Sequence, residues 1–296
     1  CHNRTLYLCP EALSRPMNLL SGNLTAVDPL VSALGTLNKS ISLFAAFTLI
    51  GVLLALSFLL LEREGKLQTS ALKLRSIGAI LAAIWFLTSA FQIFLTLANI
   101  LGTNLGGAFD STTFSSFVRQ IELGQYLAFQ TVLIGVVLIS LNFIRGTLPS
   151  TALLGISILA LVAPVFQSHA ASSGSHALAI GSLAVHVIAL SLWVGGVCSI
   201  ALLDESDRRI ALPRFSQLAL WAAIAVVLSG IANAWARLNF ASAWSSSYAR
   251  IVIAKTILTV VLLAIGYRSR KALHASEKSG WAFLSRIILI EAFIMA

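Results

Sequence analysis

Residues 41–61 read ISLFAAFTLIGVLLALSFLLL, 21 consecutive positions without a charge. A bilayer core of about 30 Å is crossed by about 20 apolar residues of helix, so this one stretch is long enough to span. It is continuously apolar rather than alternating, which selects a helix over a barrel strand, because lipid offers no partner to unpaired backbone groups. Similar runs at 77–101, 123–144, 148–166, 178–203, 215–236, 251–267 and 283–296 predict an all-α, polytopic membrane helix bundle with about eight transmembrane helices. The composition agrees: 58% of the chain is hydrophobic and 10% charged, against roughly 25% charged in a soluble domain. Membrane lipid is therefore the first partner implied.

The excess of 20 Lys and Arg over 11 Asp and Glu gives a net charge of +9. In a soluble domain that balance suggests nucleic acid; here its distribution explains it without a nucleic-acid partner. Arg63, Lys66, Lys73, Arg75, Arg145, Arg208, Arg209, Arg214, Arg268, Arg270, Lys271, Lys278 and Arg286 follow the first, third, fifth and seventh runs, on one face of the membrane. Arg4, Arg15, Lys39, Arg119, Arg237 and Arg250 are all that the other face carries. The positive-inside rule places the richer face in the cytoplasm and the N-terminal tail, residues 1–38, outside. Residues 39–296 are then the bundle, its last helix truncated where the chain stops. The start at Cys1 rather than Met leads us to expect material beyond both ends: a removed signal, an earlier helix, or a lipid-bearing Cys1. A Cys1–Cys9 disulfide is chemically permitted in an external tail, and Cys198, deep in an apolar run, is expected to be a small buried hydrophobe.

Polar residues interrupt the runs at helical spacing. Thr88, Gln92, Thr96 and Asn99 recur at steps of four, four and three on one face of the second run. In lipid such a stripe faces protein or water, leaving two readings open: hydrogen bonds between helices, or the lining of an ion path. Residues 102–120, rich in Gly, Ser and Thr, read as an external loop, with Glu122 at the mouth of the next helix, solvated or paired with Arg119. Ser229, Asn233 and Arg237 make a second one-sided edge, and Pro213 suits the start of the helix before it. Lys255 lies within a run, with Glu291 as its candidate partner, since an unpaired intramembrane charge costs about 3 kcal/mol or more. No phosphate loop, dinucleotide fingerprint, nucleophile elbow or zinc-protease motif occurs, and no nucleophile stands beside a base, so an enzyme is not expected.

Three of the five histidines fall in residues 167–200, QSHAASSGSHALAIGSLAVHVIALSLWVGGVCSI. His169 and His176 flank a pliable Ser/Gly loop that the charge rule places outside. If a helix starts near His176, His186 lies about 15 Å lower at about 1.5 Å per residue, which describes an entrance and a step below it rather than one cage. Neutral imidazole suits copper, zinc, iron and nickel, and copper binds most strongly of these. With only Met17 and Met295 present, a methionine ladder for cuprous ion is missing.

The runs SHAASSGSHALAIGSLAVHVIALSLWVGG (168–196), LPRFSQLALWAAIAVVLSGIANAW (212–235) and YARIVIAKTILTVVLLAIGYRSR (248–270) resemble the bacterial copper-resistance protein D (CopD) family. The likeness covers roughly residues 168–273, which would be the CopD-like core. It rests on the spacing of His186, Trp193, Gly195 and Gly196, on Pro213-Arg214-Phe215-Ser216, on Ser229-Gly230 and on Lys255. VRQIELGQ (118–125) is similar to actinobacterial members fused to a domain resembling the oxidase assembly factor CtaG. Tyr248-Ala249-Arg250 departs from the Tyr-Gly-Arg we would expect. The resemblance implies copper resistance or copper import across the bacterial cytoplasmic membrane, with a periplasmic CopC-like protein, a CtaG-like domain or a respiratory oxidase as partner.

On this reading His169 and His176 capture copper outside and His186 accepts it within the bundle. Gln92, Asn99, Glu122, Trp193, Asn233, Lys255 and Glu291 would line or support the path. The competing expectation is a non-transporting accessory or assembly subunit of a respiratory cytochrome oxidase, for which Gly181-Ser182 and Gly195-Gly196 offer small-residue packing surfaces. Haem binding by His186 would need a second axial histidine, and no other spanning run carries one.

Overall fold

The computed structural model describes residues 29–60, 69–103, 105–143, 146–166, 176–237 and scattered positions of 250–266. The tail with Cys1 and Cys9, the loop with His169, Lys255, Glu291, the eighth run and part of the seventh lie outside the described residues. Among those described, all regular structure is helical. Helix α1 spans Pro29–Leu54 and continues through a π turn at Ala55–Leu59; α2 spans Thr69–Leu101, α3 Ser111–Gln120, α4 Glu122–Leu141, α5 Thr147–Val162, α6 His176–Leu202 and α7 Glu205–Arg237. All but α3 are long and apolar enough to cross a membrane, six in all. The chain folds as an all-α polytopic bundle.

Helix α1 is its axis, packing on α2, α5 and α6. From Ala45 to Leu54 every residue of α1 but the partly buried Phe47 is buried; a helix apolar all round belongs in a core or in lipid, and this one is in the core. Lipid removes the hydrophobic drive between helices, so close approach of small residues has to hold them. A Cβ on Gly51 would lie 1.7 Å from the Gly195 carbonyl oxygen, and one on Gly195 2.1 Å from that of Phe47. Helices α1 and α6 therefore touch backbone to backbone. The adjacent Gly196 receives the Phe215 ring of α7, whose Cε2 would sit 2.0 Å from an added Cβ. Gly195 and Gly196 are thus spent inside the bundle and offer no surface to a partner.

Helix bounds depart from the apolar runs where side chains supply a reason. Helix α1 begins at Pro29, a residue suited to the first helical position, so residues 29–38, Asn38 among them, are helical rather than part of a tail. The stretch read as a loop after α2 holds a 3-10 turn, Leu105–Phe109, and α3. Asp110 caps α3, its carboxylate accepting from the Thr113 hydroxyl at 2.7 Å and amide at 2.8 Å. Those two donors, the hydroxyl first, hold its pKa below the usual carboxylate range. Phe114, Phe117 and Val118, at helical spacing, seat α3 on a second cluster containing Val31, Ile93, Leu97 and Leu127. Pro213 lies inside α7, on an exposed position, and α5 tightens into a 3-10 turn, Ala163–Phe166, around Pro164.

The ends of the spans differ. At the end where α1, α4 and α6 finish, three arginines reach terminal carbonyls. Arg75 of α2 donates to Leu141 O at 2.8 Å and to Asn142 O. Arg208 of α7 donates to Ile200 O, Ala201 O and Leu203 O at 3.2, 3.3 and 2.8 Å. Arg214 donates to Leu59 O at 3.5 Å. A helix leaves its last four carbonyls without intrahelical donors and carries partial negative charge there, and these guanidinium groups answer both.

Candidate metal centre

His186 lies on the inward face of α6, in a stripe with Ser182, Ala189 and Trp193, all three buried. The ring is half-buried and meets α7, where its Nδ1 is 3.1 Å from the Val226 carbonyl oxygen and 3.1 Å from Ser229 Oγ. A Cβ on Gly230 would stand 3.7 Å from ring atom Cε1 and 3.8 Å from Nδ1, so the absent side chain lets the imidazole edge lie on the α7 backbone. The described part of α6 begins at His176, so ten helical residues, about 15 Å, separate that backbone position from His186.

The polar stripe of α2 is tied to α1. Asn38, 7% exposed, donates through Nδ2 to Gln92 Oε1 and to the Thr88 carbonyl, both at 2.9 Å, and Gln92 Nε2 donates to Thr96 Oγ1 at 3.2 Å. Asn99, the fourth member, is exposed at the end of α2. Asn38 was missed because it precedes the apolar run; the signal was the spacing of Val31, Leu34 and Asn38, which carries the helical period back into the supposed tail. Glu122 is exposed in the first turn of α4, while Gln125 Nε2 donates to the Arg119 carbonyl at 2.8 Å. Trp193 is packed in the main core, two turns beyond His186. Asn233 is half-buried one turn beyond Ser229 on α7. Cys198 is partly buried, twelve residues further along α6 than His186.

No three His, Cys, Asp or Glu side chains converge among the described residues. What the structure brings together is His186 with Ser229 and the Val226 carbonyl; it does not bring Gln92, Glu122 or Cys198 to them. As a donor set for a soft or borderline metal this is one imidazole whose far nitrogen is already anchored, an arrangement common to ligating histidines.

A multi-pass, all-helical membrane protein with a histidine anchored between two of its helices is the class defined here. Two family models match the chain: Copper resistance protein D-like, N-terminal domain, over residues 33–178, and Copper resistance protein D over residues 209–296. The chain belongs to the copper-resistance protein D family, and is by that membership a copper-related membrane protein. The likeness thus extends through α1–α5, beyond the stretch that the sequence motifs marked. Most of α6, with His186 and Gly195-Gly196, falls between the two matched spans. No curated protein and no solved structure matches.

Proposed function

We propose that this protein moves copper across the bacterial cytoplasmic membrane, inward from the face that carries the His169–His176 loop. The observation that supports the reading best is the anchoring of His186 between α6 and α7, about 15 Å along α6 from His176. Copper is the cargo. His169 and His176 take it at the outer face, from water or from a CopC-like periplasmic carrier, and His186 receives it one step below. The basic end, where Arg75, Arg208 and Arg214 close the helices, faces the cytoplasm by the positive-inside rule. In this scheme the α2 stripe is structural, since Asn38, Gln92 and Thr96 satisfy one another.

The test is copper(I) binding and flux with the full chain, purified and reconstituted into liposomes. Wild type is expected to bind copper and to pass it inward, and replacement of His169, His176 and His186 by Ala to abolish both. Unchanged copper stoichiometry in the triple variant sinks the site. Binding without flux, together with co-purification of oxidase subunits, turns the reading toward an accessory subunit of a respiratory oxidase.

A further inference from the structure

A Ser or Thr hydroxyl inside a helix can give its proton to a carbonyl of the preceding turn, as several here do: Ser57 to Leu53 O at 2.6 Å, Thr88 to Ile84 O at 2.9 Å and Ser199 to Gly196 O at 2.8 Å. Thr48 of α1 does not. Only 6% of it is exposed, and its Oγ1, like those of Ser89 and Ser157, reaches no acceptor at full hydrogen-bond geometry among the described residues. The group that Thr48 faces, across the contact with α6, is the sulfur of Cys198. Gly51 and Gly195, three residues from Thr48 and from Cys198, bring the two backbones together, so packing holds the pair in place. A buried donor without an acceptor costs about 1–3 kcal/mol, and a neutral thiol accepts only weakly. A sulfur that has lost its proton accepts well, so this hydroxyl suits a thiolate better than a thiol.

We propose that Cys198 is a copper(I) ligand at the contact of α1 with α6, the last position on the path, with Thr48 as its positioning residue. Thiolate is the soft donor that selects copper(I), and Cys198 is the one sulfur among the described residues. It is partly exposed rather than sealed in the core. It stands twelve residues, about 18 Å, beyond His186 and one turn short of the end of α6. Copper(I) takes the place of the thiol proton: the S–H bond breaks, the S–Cu bond forms and the proton leaves to water. One positive charge replaces another, so the site stays neutral inside a span, where an uncompensated charge costs about 3 kcal/mol or more. One thiolate beside one hydroxyl holds the ion loosely enough to let it go, as a transfer position requires. Its place on a path rests on the transport proposed above; the ligation itself does not.

The test uses the full chain in lipid with Cys1→Ser and Cys9→Ser, so that Cys198 is the one thiol, titrated with copper(I) against a competing chelator. A copper(I)–thiolate band is expected in the ultraviolet, and Cys198→Ala is expected to lose the band and to bind one copper fewer. Cys198→Ser, nearly the same shape as the native residue, is expected to behave as Ala does, which separates lost ligation from lost packing. Thr48→Val keeps the shape without the hydroxyl and is expected to shift the band and weaken this copper about tenfold; Thr48→Ser is expected to restore both. Copper(I) bound without a thiolate band, or unchanged in both Cys198 variants, overturns the ligand and leaves the functional reading standing. A band and an affinity unaltered in Thr48→Val overturn the positioning role. A thiolate band without flux in liposomes keeps the ligand and overturns its place on a path. A chain that binds no copper(I) overturns the ligand and the functional reading together.

Discussion

Where α1, α4 and α6 finish, Arg75, Arg208 and Arg214 each reach across to the closing carbonyls of another segment; elsewhere between the helices, smaller polar side chains meet side chains and carbonyls of a neighbour, Asn38 with Gln92 and Thr88 O, His186 with Ser229 and Val226 O. The difference follows from depth and dipole. Helix C-termini gather unsatisfied carbonyls and partial negative charge at a level where an arginine keeps its head near water and lays its stem along the helices. Deeper in the span a charge is costly, so polar contacts between helices there are neutral and few. One end is thus closed by cations that serve two helices at once. The other contacts join polar groups, His186 among them, whose positions depend on how closely the helices approach.

The sharpest way to break the comparison is to separate the helices that both sets of contacts depend on. Gly51→Val drives a side chain into the Gly195 carbonyl, 1.7 Å from the Cβ position. We expect no monodisperse protein by size exclusion, whereas Gly155→Val, with nothing within 4 Å of its Cβ, should purify normally. Next in size is Arg208→Met, which removes a charged donor from three carbonyls and should cost about 2 kcal/mol in unfolding followed in detergent. Asn38→Leu should cost about 0.6 kcal/mol, the usual worth of a hydrogen bond between membrane helices. If Asn38→Leu proves the more damaging of the two, the contrast between the two sets is wrong. Its copper flux also discriminates: unaltered flux keeps the α2 stripe as structural, and a several-fold fall makes it part of the path.

The smallest effect is expected at the Asp110 cap. Its carboxyl is held below the usual range by the Thr113 hydroxyl and amide. Such a group lends its stability in full above the ordinary carboxylate range and loses it as the pH falls through the lowered value. Hydrogen exchange at the Thr113 amide, corrected for its intrinsic pH dependence, should therefore accelerate in acid, and Asp110→Asn should remove that acid dependence.

Residues 41–61 and their seven counterparts settled the all-helical membrane class, because a bilayer admits few other uses for uncharged runs of that length. The basic residues likewise marked which helix ends share a side. The sequence pattern left α3 unread, since its cap and three apolar residues sit in a stretch whose Gly, Ser and Thr suggest a loop. It also could not rank the helices: α1 and α4 are both apolar, yet α1 is buried through its middle while Val132, Val136 and Ile139 of α4 are exposed. His186 was visible as a candidate, but its partners, 40 and 43 residues away, were not. Local composition determined what each segment is, a matter of solvent preference repeated over some twenty residues. Only the tertiary structure decided that Gly51 meets Gly195, that arginines of α2 and α7 close other helices, and that α7 holds the Nδ1 edge of His186. Those are contacts between distant segments, set by packing shape, and no local pattern encodes them.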